Sequence, residues 1–176
     1  MPFQVRDGGE RFGRGCGSVR LMDPGDSERR RWLDGDALVA RDLLERIPSH
    51  DRPFRAARIL DAARLVAPSD CSGDLIALAI EVAGDPKRWR EGHALFDRVR
   101  KKTLERERSG SLSDPCVRVL LLAEVVVEVA YNASEMPAPF DDDCGDWVLR
   151  NAASVALIAD ESTVDAIWKA VCGTKD

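Results

Sequence analysis

The sequence predicts an all-α protein: a compact bundle of about seven helices, or a stack of helical hairpins, behind a flexible N-terminal tail. Three observations predict it. Apolar residues recur at i, i+3, i+4 and i+7 in one segment after another. Aspartate ahead of proline or of an apolar run marks the starts of these segments, while glycine or proline marks their ends. No stretch alternates with period two between turn signals, as a half-buried strand would.

Taken in order, Asp36 to Ile47 carries Val39, Leu43, Leu44 and Ile47 and stops at Pro48. Asp51-Arg52-Pro53 opens the next helix, through Phe54, Ala57, Ile59, Leu60 and Ala63 to Val66, before Pro68. Ser72 to Ala83 supplies Leu75, Ile76, Ala79, Ile80 and Val82, and Gly84 closes it. Asp85-Pro86 reads as the start of another helix, running to about Arg108.

Asp114 to Tyr131, "DPCVRVLLLAEVVVEVAY", is the most apolar stretch. A membrane span wants about 20 mostly apolar residues, and Arg118, Glu124 and Glu128 sit inside this one. A strand of five or six residues would be far shorter. Asp114-Pro115, a carboxylate cap before a proline at the first helical position, decides for a helix. At about 100° per residue Glu124 and Glu128 form a polar stripe, and the remaining arc is apolar, so this helix is expected to be central. Asp146 to Ala159 follows. Ser162 then caps a last helix with Val164, Ile167, Trp168 and Val171 in register and Gly173 as its stop.

Residues 1–26, rich in Gly and Arg, are expected to form the tail, and 27–176 a single domain. Residues 132–145, "NASEMPAPFDDDCG", are the other long irregular stretch. Gly13, Gly15 and Gly17 lack the preceding strand and following helix that a phosphate-binding loop needs. The five cysteines are spread without CxxC spacing, and His50 and His93 stand far apart. No metal or cofactor is therefore expected. Nothing in the first residues resembles a signal peptide, which suggests reduced thiols in a cytoplasmic protein.

The chain of 176 residues has a net charge of -5, which argues against a general nucleic-acid binder. Asp141, Asp142, Asp143 and Asp146 are its densest charge, with Phe140 and Trp147 beside them. These carboxylates can complement a helix N-terminus, hold a cation, or meet a basic protein partner with the two rings as apolar anchors. A basic run lies on the helix before Asp114, with Arg98, Lys101, Lys102 and Arg106 on one face; a solvated surface or an acidic partner would account for it. His93 borders an apolar face without a visible partner for base catalysis. The functional expectation is a small acidic, non-catalytic protein-interaction module of the immunity-protein, antitoxin or adaptor type. Its alternatives are a nucleic-acid-associated regulator using residues 98–108 and the Arg/Gly tail, and an enzyme with a site assembled across helices.

Overall fold

The computed structural model describes residues 24–111, 113–136 and 144–173. Among them are eight α-helices and no strand: α1 (Pro24–Leu33), α2 (Ala37–Glu45), α3 (Arg52–Ala63), α4 (Gly73–Gly84), α5 (Gly92–Ser109), α6 (Pro115–Glu135), α7 (Cys144–Ala156) and α8 (Glu161–Cys172). The expected helical bundle is the fold. Residues 1–23 of the expected tail lie outside the described residues; Pro24 to Asp26, assigned to that tail, open α1.

α6 is the axis of the bundle. It packs against α3, α4, α5 and α7, and Val119, Leu120, Leu122, Ala123, Val126, Val127, Val129 and Ala130 are all buried. Such enclosure outweighs the modest helix propensity of valine. The Asp114 carboxylate accepts from the Cys116 N–H at 2.9 Å, and Pro115 occupies the first turn. The polar stripe is half-buried at Glu128 and buried at Glu124. Glu124 is 6% exposed because α5 covers it. No helix of the described residues is long and apolar enough to cross a membrane.

Three local expectations are corrected. Asp85-Pro86 forms a turn instead of starting a helix: the Asp85 carboxylate accepts from the Lys87 N–H at 3.0 Å, a 3₁₀ turn follows over Trp89–Glu91, and α5 begins at Gly92. The reason is Trp89, whose indole N–H donates to the Ala83 carbonyl at 3.1 Å while its ring meets Phe54 edge-on. The cap of α8 is Asp160, which accepts from the Thr163 N–H and the Ser162 hydroxyl, so Ser162 supports the cap without being it. Finally, α6 runs four residues into the stretch expected to be irregular.

The expectation of reduced thiols also fails for two of the five cysteines. Cys71 and Cys116 are joined by a disulfide across a sequence separation of 45, tying the entry of α4 to the head of α6. Both residues are buried. Their pairing is a product of packing, invisible in sequence spacing.

Candidate functional site

The acidic-aromatic cluster read from the sequence centres on the head of α7. Phe140, Asp141, Asp142 and Asp143 lie outside the described residues; Asp146 and Trp147 do not. α7 is amphipathic, burying Val148, Leu149, Ala152, Ala153, Val155 and Ala156. Two contacts fix its position. The Trp32 indole N–H, from α1, donates to the Leu149 carbonyl at 3.0 Å. At Gly145 the backbone approaches α2 so closely that a Cβ would stand 2.6 Å from Leu44 Cδ1.

With its apolar face turned inward, α7 presents Trp147 outward, 51% exposed. The Arg150 guanidinium lies 4.7 Å from the centre of the Trp147 ring, a cation–π contact. The same group stands 3.9 Å from Asp146 Oδ2. Asn151, one turn on, donates its amide to the Trp147 carbonyl at 2.9 Å. Past the end of the helix, Leu157 and Ile158 are exposed as well. The Cys144 sulfur accepts from the Asn132 amide at 3.5 Å, joining the head of α7 to the tail of α6.

Two polar groups near this end of α7 have unmet hydrogen-bonding capacity. Among the described residues, Asp146 Oδ1 is buried without a hydrogen-bond partner, and so are Nε and Nη1 of Arg52. Arg52 lines a narrow cavity with Leu44, Ile47, Val129, Gly145 and Val148. A buried polar atom left unpaired costs about 1–3 kcal/mol, more when charged. In the sequence Arg52 is only part of a helix start, and nothing in "DRPF" signals that its guanidinium turns inward.

The basic run is divided by the fold. Arg98 and Lys101 are exposed on α5. Lys102 stands 3.6 Å from Glu105. Arg106 is drawn into the structure, its Nε donating to Asp114 Oδ2 at 2.9 Å while Nη1 lies 3.9 Å from Asp70. That pairing, after the Cys116 N–H, holds the Asp114 carboxyl below its ordinary range. Arg100, outside the expected set, lies 3.5 Å from the buried Glu124. Burial pushes the Glu124 carboxyl up, and the Thr103 hydroxyl and Arg100 counter this only in part.

His93, expected at the core edge, is exposed, with its ring edge-on to Tyr131 at 5.3 Å. Open grooves flank α3. One lies toward α8 between Arg58, Leu65, Ser162 and Lys169, and one toward α4 between Phe54, Arg58 and Ile80. Among the described residues no group of three or more His, Cys, Asp or Glu could hold a metal. What the head of α7 can do chemically is adsorb: it offers an exposed aromatic face and a guanidinium already stacked on it. No family model, curated protein or solved structure matches the chain.

Proposed function

We propose that this chain is a small acidic protein-interaction module, of the immunity-protein, antitoxin or adaptor type, working in the cytoplasm, and that its partner docks at the head of α7. The observation that carries this reading is Trp147, half exposed on a helix whose other large residues are mostly buried. Tryptophan and arginine are the residues that most often dominate binding energy, and here they are stacked together. Asp141, Asp142 and Asp143, adjacent in sequence to this helix, favour a partner that brings basic groups.

The test is capture from the native host with the immobilised full chain, run beside Trp147→Ala and beside Arg98→Ala/Lys101→Ala. The module reading expects a protein retained by the wild type and by the α5 variant and lost with Trp147→Ala, with an unchanged circular dichroism spectrum. The nucleic-acid reading retains one observation in its favour, the exposed Arg98 and Lys101. Retention of nucleic acid that falls steeply with salt, survives Trp147→Ala and is lost with the α5 variant would replace the first reading by the second.

A further inference from the structure

We propose that the Cys71–Cys116 disulfide is a redox-operated latch, whose state decides whether the loop leading into α4 is fastened to the head of α6. The proposal does not depend on the docking surface, since α7 is held by α1, α2, α3, α6 and α8.

The first observation is where the bridge sits. Pro68, Ser69 and Asp70 before Cys71 are exposed, as are Gly73 and Asp74 after Ser72, whereas Cys71 is 1% exposed and Cys116 2%. In this loop the buried sulfur is the main apolar anchor. The nearest polar tie is weak, Asp70 standing 3.9 Å from Arg106. The second observation is the backbone beside it. Ser72 has φ 49° and ψ 44°, and among the described residues it alone is non-glycine with positive φ. A serine is held in the left-handed region only when its surroundings over-determine it, and the bridge one residue earlier supplies that constraint. The third is the unequal footing of the two sulfurs: Cys116 is fixed in the first turn of α6, whereas Cys71 lies in the loop, so the loop sulfur is the one an external thiol reaches when the loop opens.

The chemistry is thiol–disulfide exchange with a glutathione-type thiol or a dithiol protein. A thiolate attacks the Cys71 sulfur, the S–S bond breaks, and Cys116 leaves as thiolate and takes up a proton. A second thiol then resolves the mixed disulfide on Cys71. The protein bridge is reduced to two thiols, and two external thiols become one disulfide. Access requires the loop to open, and a loop with so few apolar contacts opens locally at small cost.

The experiment uses the full chain, equilibrated in oxidised glutathione or in dithiothreitol. Thiols are counted by alkylation and mass spectrometry, and amide hydrogen exchange is followed by peptide. Reduction is expected to expose two further alkylatable thiols, at Cys71 and Cys116, and to speed exchange at residues 67–76 and 113–118 by about tenfold or more. The helical circular dichroism spectrum should be unchanged, and glutathione disulfide should restore the starting pattern. Ser72→Gly, which removes the left-handed penalty, should shrink the difference between the two states at residues 72–76. Equal exchange in both states would overturn the latch. So would unfolding of the entire chain on reduction, failure to reoxidise, Cys71 and Cys116 remaining alkylatable in oxidised glutathione, or a Ser72→Gly difference as large as the wild type's.

Discussion

Glu124 puts a carboxyl between two packed helices, and its protonation couples to stability. Its ordinary range is shifted upward by burial, so the stability it contributes is complete when it is protonated and is lost as pH rises through its folded value. Glu124→Gln should therefore raise the melting temperature at neutral pH and remove part of the decline between mildly acidic and neutral pH. Asp114 has the opposite sign: the Cys116 N–H and Arg106 hold it down, so its contribution is present above the ordinary aspartate range and lost as pH falls through the folded value. Thermal melts of Asp114→Asn across acidic pH should show a shallower acid transition than the wild type. Glycine matters where helices touch. A Cβ on Gly92 would stand 2.6 Å from the Val127 carbonyl oxygen, a backbone atom that cannot move aside. Gly92→Ala should destabilise by about 1–3 kcal/mol in a denaturant titration. Gly145→Ala meets only the flexible end of Leu44 and should cost less. Apart from the Asp114 cap, none of these contacts was legible in the sequence, because each depends on a residue from another helix.

Elements were legible where the signal was local. Asp36 caps α2 by accepting from the Leu38 and Val39 N–H groups, Asp114 caps α6, and Gly173 ends α8 with φ 76°. The sequence pattern was misleading where a tertiary contact outweighed it. Asp85-Pro86 has the look of a helix start, yet seating Trp89 against α4 makes it a turn. α1 went unseen because "PGDSERRRWL" has no apolar periodicity. Its apolar anchor is Trp32, which is 1% exposed, bonded to α7 and tilted against Trp168 of α8 at 5.3 Å, while Glu28 pairs with Arg46 and Arg29 with Asp165. The Asp23-Pro24 pair, the same signature as Asp114-Pro115, was the available clue. Trp32→Ala should cost about 3–5 kcal/mol and release α1, seen as faster hydrogen exchange over its residues. At the other end of the chain Arg55 donates to the Ala170 and Val171 carbonyls, capping α8 from α3. Of the candidate site, Trp147 and Asp146 were legible as a cluster, whereas the inward turn of Arg52 and the diversion of Arg106 to Asp114 were not.

At the scale of the molecule, the disulfide closes a loop that contains α4 and α5, so it constrains the unfolded chain as well as the native loop. Its loss should lower global stability by about 2–4 kcal/mol, a fall of several degrees in melting temperature. That fall is compatible with a reduced chain that remains folded, since domains commonly carry about 5–15 kcal/mol. The docking reading belongs to the same scale, because it divides the bundle into faces: α7 offers Trp147 and Arg150, while α5 keeps Arg98 and Lys101. The direct measurement is amide hydrogen exchange on the full chain, alone and saturated with the protein it captures. Protection on binding should concentrate at residues 144–151 and leave 94–104 unchanged. Protection over 94–104 with none at 144–151 would contradict the assignment of the docking surface to α7.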